Sequence, residues 1–261
     1  VFHVKPRVVA VANQKGGVGK TTTAINLGAA LAAYERRILL VDLDPQGNCT
    51  AGLGCEPHPD DPTTYQLITG QAGLDTVMRL TEFPHLWLAP STPDLAGAEV
   101  ELVGLVGREF RLREALQGHA DSDFVFIDCP PSLGLLTVNA LAAADALIVP
   151  IQCEYYAMEG VSKLLVTVDE IRRYVNPGLA IDGILLTMYD DRTNLAQQVV
   201  QEVCSVFGDL VFESIVPRNV RLAEAPSFGR PIHAYDLRSK GAQAYLGLGR
   251  EYLERRAAAG G

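Results

Sequence analysis

The sequence has no apolar run near the ~18 residues that would cross a bilayer. Its longest candidate, NALAAADALIVPIQ (139–152), is broken by Asp145 and Pro150. The amino end, VFHVKPRVVA, lacks the apolar length and cleavage pattern of a secretory signal, so no export is expected. Cysteine is sparse and irregular: Cys49, Cys55, Cys129, Cys153 and Cys204, with no CxxC. That argues against a zinc site or a disulfide framework, and the thiols read as buried or indifferent in a reducing cytoplasm. Positive charge is also short, with 22 Lys and Arg against 31 Asp and Glu and a net charge of −9. A globally basic nucleic-acid binder is thereby excluded, although a local basic patch is not. No repeat and no long linker is visible. Residues 1–261 therefore read as one domain, with 1–6 and 256–261 as frayed ends and CEPHPDDPTT (55–64) as an internal loop.

What is present is alternation. RVVAVANQ (7–14), RILLVDLD (37–44), LWLAPST (86–92), DFVFID (123–128), ALIVPI (146–151), IDGILLTMYD (181–190) and LVFESIVP (210–217) read as strands. Their apolar residues run together, as in strands buried on both faces. Helical patterns lie between them, over 20–34, 95–117, 158–175 and 195–207. Strand and helix in turn predict an α/β fold, a mostly parallel twisted sheet with helices on both faces. Ligands of such sheets bind at the carboxyl ends of the strands, where each motif below falls.

KGGVGKTT (15–22) follows the first strand and opens the first helix, the context a phosphate loop needs. Gly16, Gly17 and Gly19 are expected to curl the backbone so that successive N–H groups, Val18 among them, face phosphate oxygens. Lys20 would reach the β- and γ-phosphates, and the Thr21 hydroxyl, followed by Thr22, would coordinate Mg²⁺. The usual GxxxxGK[ST] pattern fails at its first position, which is Gln14, and a second lysine, Lys15, follows it. Lys15 is redundant for its own phosphates, so it would aim beyond its own site. Asp42 and Asp44, one residue apart on a strand, would face the ligand together. Asp44 would position the attacking water and Asp42 would organise the loop and metal shell, the alternative being aspartates that cap a turn. Asp128, ending an apolar strand, matches a Walker B acid that holds Mg²⁺ through water.

These residues, with VDLDPQGN and IDCPPSLG, resemble the deviant Walker A ATPases within the P-loop NTPases. QCEYYAMEG (152–160), LLTMYDDRTNLAQQV (185–199) and IVPRNVRLAEAPSFGRPI (215–232) resemble the ParA/Soj chromosome-partition family, over nearly all of 7–255. The resemblance implies a Mg²⁺-dependent ATP hydrolase, slow without its partner. It implies that Lys15 crosses to the nucleotide of a second subunit, so that ATP drives a sandwich homodimer. It places base recognition near Thr187, Met188, Pro217 and Asn219, and Glu154 on the dimer face. Its implied partners are non-specific double-stranded DNA and a ParB/Spo0J-like partition protein, and its implied location is cytoplasmic and nucleoid-associated.

Residues 218–240 carry five basic side chains against two acidic ones, a local excess suited to DNA phosphate. Arg218, Arg221 and Arg230 are the candidates from charge, and Arg192 is added by the resemblance. The rival within the superfamily is a MinD-like membrane-associated ATPase, but AYLGLGREYLERRAAAGG is a poor lipid anchor. Iron–sulfur branches of the superfamily need cysteine pairs that this chain lacks. A different class of function, an ATP-controlled dimerisation switch without turnover, is disfavoured by Asp44 and Asp128.

Overall fold

Parallel pairing dominates because each buried strand is followed by a helix that carries the chain back across the sheet. The computed structural model describes residues 5–155 and 157–259. Its strands are β1 (Arg7–Val11), β2 (Ile38–Asp42), β3 (Arg79–Leu80), β4 (Leu86–Ala89), β5 (Phe124–Asp128), β6 (Ala146–Gln152) and β7 (Ala180–Thr187). They form one sheet in the order β3-β4-β2-β5-β1-β6-β7. Every neighbouring pair is parallel except β3 with β4. The helices are α1 (Lys20–Ala33), α2 (Asn48–Gly52), α3 (Thr64–Thr69), α4 (Leu74–Val77), α5 (Leu95–Glu101) and α6 (Arg111–Ala115). They continue with α7 (Leu135–Ala143), α8 (Ala157–Tyr174), α9 (Asn194–Phe207), α10 (Val220–Glu224), α11 (Ile232–Tyr235) and α12 (Lys240–Ala259).

Side chains alternate between two apolar cores, as the period of a strand requires. Val9, Val11, Leu40 and Phe126 pack with Leu27 and Leu31 of α1 and with Tyr245 and Leu248 of α12. Val8, Ala10, Val41 and Ile127 pack instead with Leu141 of α7, Leu164 of α8 and Val203 of α9. Helix α1 lies close on the sheet at Gly28, where a Cβ would stand 2.9 Å from Leu40 Cδ2. Any larger side chain there would force the Leu40 side chain to shift within the packed core.

Three expectations need correction. LVFESIVP forms no ladder: only isolated bridges join Val211 to Ile184 and Pro217 to Tyr189. The N–H groups of Glu213 and Ser214 donate instead to the carboxylate of Glu251 on α12, at 2.8 and 2.9 Å. The helix expected over 95–117 breaks into α5, two 3₁₀ turns and α6. Gly107, at φ 71°, interrupts it with a conformation that no helix holds. The carboxyl end does not fray from residue 256, because α12 continues to Ala259. Arg255 on α12 donates to the carbonyls of Asp209 and Val211 at 2.8 and 2.7 Å. At the amino end, Pro6 is buried and Lys5 pairs with Asp145 at 3.1 Å, while residues 1–4, 260 and 261 lie outside the described residues.

Candidate active site

The strand register brings three sequence motifs to one edge of the sheet. Asp128 of β5 pairs with Val11 of β1 on one side and with Asp42 of β2 on the other. The phosphate loop therefore leaves β1 beside both carboxylates. Gly17 and Gly19 adopt φ of 74° and 89°, the left-handed region that favours glycine. Gly16 does not, so the loop curls at two of the three expected positions. Buried Asn13 tethers the loop: its Nδ2 donates to the Pro150 carbonyl at 2.7 Å and its Oδ1 accepts from the Lys15 N–H at 3.0 Å. Thr187 holds the other side, its hydroxyl donating to the Val18 carbonyl at 2.9 Å. Helix α1 begins at Gly19 without a side-chain cap, which leaves its first amides free for an anion.

Lys20 is nearly buried, and its ammonium donates to the Lys15 carbonyl at 3.1 Å. Burial lowers its pKa, opposed by the neighbouring Asp128. Asp128 is the most exposed to penalty, for both of its oxygens are buried without a hydrogen-bond partner. Burial and then the charge of Asp42 push its carboxyl well above the usual range, offset in part by the Thr21 hydroxyl and Lys20. Such an orphan fits a cation or metal-bound water brought in with a ligand. Among the described residues no three His, Cys, Asp or Glu side chains cluster as a metal cage. Mg²⁺ is usually held by one or two protein oxygens with substrate phosphates and waters.

Asp42 and Asp44 do not act as an equivalent pair. Asp42 is fully enclosed and accepts from the Thr50 N–H and hydroxyl at 2.8 and 2.7 Å and from the Asp44 N–H at 3.2 Å. Burial still raises its pKa to about 6. The strand ends at Asp42, so Asp44 turns independently and lines the cleft. Only Asp44 faces the ligand space, which corrects the expectation that both do.

That space has two chambers. The larger, about 620 Å³, runs from the phosphate loop past Asp44 to Pro226 and Arg230. The smaller, about 210 Å³, shares Gly19, Thr22 and Met188 with it and is walled by Pro217, Asn219 and Tyr245. The four residues expected near a base thus come together. Met188 is held at φ 52°, unusual for a side chain of its size. The Asn219 oxygen is already used, capping α10 by accepting from the Arg221 N–H at 2.9 Å. The Thr187 hydroxyl proton is likewise committed to the loop, while the Asn219 amide keeps its Nδ2 donors and a second oxygen lone pair.

Lys15 forms an ion pair and hydrogen bond with Glu154 of the same chain. Arg192 pairs with Asp190 at 2.7 Å, and Arg221 with Glu224 at 2.8 Å. Arg218 is exposed at the rim of the smaller chamber. Arg230, expected on the DNA face, is exposed and lines the larger chamber.

An AAA-domain family model matches residues 6–181. The chain is 56% identical over 250 residues to the chromosome partitioning protein ParA of Myxococcus xanthus, covering 95% of this chain and 88% of that one. It is 52% identical to the sporulation initiation inhibitor protein Soj of Bacillus subtilis, covering 94% and 97%. The chain belongs to the ParA/Soj family of partition ATPases. Its fold, the P-loop type with a mostly parallel sheet, is that of the family. A crystal structure from Mycobacterium smegmatis, described as cobyrinic acid a,c-diamide synthase with bound ATP analog and magnesium, superposes with a TM-score of 0.84 at 40% identity, covering 97% of each chain.

Sequence reasoning missed Asn13, Thr50 and Asn26. Asn26 on α1 accepts from the Ile232 N–H at 2.7 Å and so ties α11 beside the cleft. A buried amide directly before a phosphate loop was the available signal for Asn13. Nothing local marks Thr50 or Asn26.

Proposed function

We propose that the chain is a single P-loop domain that hydrolyses Mg²⁺-ATP in a nucleotide-sandwich homodimer, binds DNA without sequence preference and acts in DNA partition with a ParB-like partner. The observation that carries the catalytic part is Asp128, a buried carboxylate without a hydrogen-bond partner at the end of β5, beside the strand from which the phosphate loop leaves. Mg²⁺ bound there would neutralise the phosphate oxygens and the carboxylate together. The residues of the chain do the rest. Amides of 16–20 and the Lys20 ammonium bind the phosphates, Thr21 and Asp128 hold the metal shell, and the smaller chamber takes the base. Asp44, fixed by the Gln46 N–H at 3.0 Å, orients a water for attack on the γ-phosphorus as the bond to the ADP oxygen breaks.

Lys15 belongs to the second site of the dimer. Its reach to a partner's nucleotide requires it to leave Glu154, so the pair seen here is the resting arrangement of one subunit. A lysine supplied in trans compensates transition-state charge as an arginine finger does. DNA contact is assigned to Arg192, Arg218 and Arg221, doubled by the dimer; Arg230 is reassigned to the nucleotide cleft. Nucleoid association follows from that surface.

Helix α12 gives the membrane rival no support. Helix α12 buries Ala242, Tyr245, Leu248 and Tyr252 against the core, with Tyr245 bonded to Thr23 at 3.1 Å, so its apolar face is not offered to lipid. No described helix is long and apolar enough to cross a membrane. Steady-state phosphate release with DNA and partner protein tests the reading. Asp44→Ala should slow it by ~10²-fold or more, the scale of a lost water-orienting group, with nucleotide binding retained. No release from the unmodified chain would leave only a dimerisation switch.

A further inference from the structure

Resting on the DNA-binding reading above, a second feature lies in the short stretch that follows β7. Arg192 is expected to meet DNA phosphate, yet its guanidinium is already occupied. Its Nε donates to Asp190 Oδ1 at 2.8 Å and its Nη2 to Oδ2 at 2.7 Å, a two-pronged pair. The Arg192 N–H also donates to Oδ1, at 3.1 Å. A carboxylate presents two oxygens to the guanidinium fork much as a phosphate does. The pairing holds the Asp190 carboxyl down at about 2, with Arg218 contributing at longer range.

The surroundings make this a seat rather than a stray surface pair. A cavity of about 320 Å³ is lined by Asp190 and Arg192 together with Arg218 and Lys240. Among the described residues, neither Arg218 nor Lys240 has an ion pair of its own. Arg218 is fixed to the same stretch, its N–H donating to the Tyr189 carbonyl at 2.9 Å. Three cations therefore converge on a cavity that two carboxylates, Asp190 and Asp191, also line, and of the two only Asp190 is paired with Arg192. Asp191, the next residue, is exposed and has no ion pair with Arg192.

We infer that Asp190 is the internal occupant of a phosphate seat, and that DNA engages Arg192 only by displacing it. The carboxylate sets the threshold for DNA binding. Exchange of carboxylate for phosphate costs Arg192 one partner as it gains another, so wild-type affinity receives only part of what this arginine could give. The number of phosphates neutralised does not change in the exchange.

The test measures binding of a short random-sequence duplex across a salt series, with Mg²⁺ and a non-hydrolysable ATP analogue. Asp190→Asn keeps an oxygen for the Arg192 N–H, and Asp190→Ser supplies one as a second variant. Both should tighten binding about three- to five-fold, the scale of an exposed pair released, with the salt slope unchanged. The gain should vanish when Arg192→Ala is added. Asp191→Asn changes net charge by the same amount and should have less than half that effect. An equal gain from Asp191→Asn, or no gain from either Asp190 variant while wild type binds, overturns the proposal alone. A slope steeper by ~0.9 in Asp190→Asn also overturns it, because Arg192 would then not touch DNA in the wild-type complex. If wild type and every variant fail to bind DNA, the DNA-binding reading itself falls, and this inference with it.

Discussion

Two buried aspartates sit at opposite ends of one sheet and are treated in opposite ways. Asp182, near the start of β7, accepts from Arg7 at 3.1 and 2.6 Å and from the Tyr252 hydroxyl at 2.7 Å, with Arg256 at 3.7 Å. Asp128, at the end of β5, has no comparable partner, with only the Thr21 hydroxyl and Lys20 near enough to offset its charge in part. The first ties β1, β7 and α12 together and is complete within the chain. The second is complete only when a ligand brings the missing charge. Buried charge that is satisfied holds a fold, whereas buried charge left open marks where chemistry is expected.

The sharpest way to break the comparison is at the satisfied end. Asp182→Ala leaves Arg7 and Tyr252 without their acceptor and should cost about 3–5 kcal/mol in denaturant unfolding, with nucleotide affinity unchanged in whatever remains folded. A loss below ~1 kcal/mol would mean that the network is ornamental.

The next effect is a pH dependence at the open end. Asp42 titrates at about 6 in the folded chain, against ~3.9 when unfolded. Between these values the folded state holds a proton that the unfolded state has lost. Stability contributed by Asp42 is therefore greatest below ~4, falls as pH rises to ~6 and is level above, a change of about 3 kcal/mol. Denaturant titrations of wild type minus Asp42→Asn isolate it, and a difference that rises with pH would reverse the sign. The smallest effect is at Asp128 itself. Asp128→Asn should stabilise the nucleotide-free protein by ~1–2 kcal/mol, because it removes an unpaired buried acid kept for function. Thermal unfolding checks it, and a lower melting temperature would contradict it.

The sheet was readable in sequence because its central strands are continuous apolar runs with β-branched residues among them, such as VVAV and ILLV, the pattern of strands covered on both faces. Residues 210–217 look the same locally, but the N–H groups of Glu213 and Ser214 go to Glu251, a partner no window of sequence reveals. Helix α7, LLTVNALAA, is apolar on every side and carries no period to read. At the site, loop residues 15–22 were legible because residue type and neighbours suffice. The division of roles between Asp42 and Asp44 was drawn from their spacing, but the enclosure of Asp42 was not legible, since it depends on Thr50 being delivered by α2. The placement of Arg230 was not either. Its loop is set by Gly229 lying against Gly54, where a Cβ would stand 2.8 Å from the Gly54 Cα. The pairing of Lys15 with Glu154 spans 139 residues of chain, so it too appears only in the fold.

The account depends most on Lys15 exchanging Glu154 for the triphosphate of a second subunit. Sedimentation velocity of Asp44→Ala and of Asp44→Ala with Lys15→Gln, each with Mg²⁺-ATP, Mg²⁺-ADP or no nucleotide, tests this directly. Asp44→Ala alone should sediment as a dimer with ATP and as a monomer otherwise, and the double variant should remain monomeric throughout. A mass that ignores the nucleotide, or a double variant that dimerises normally with ATP, would contradict it.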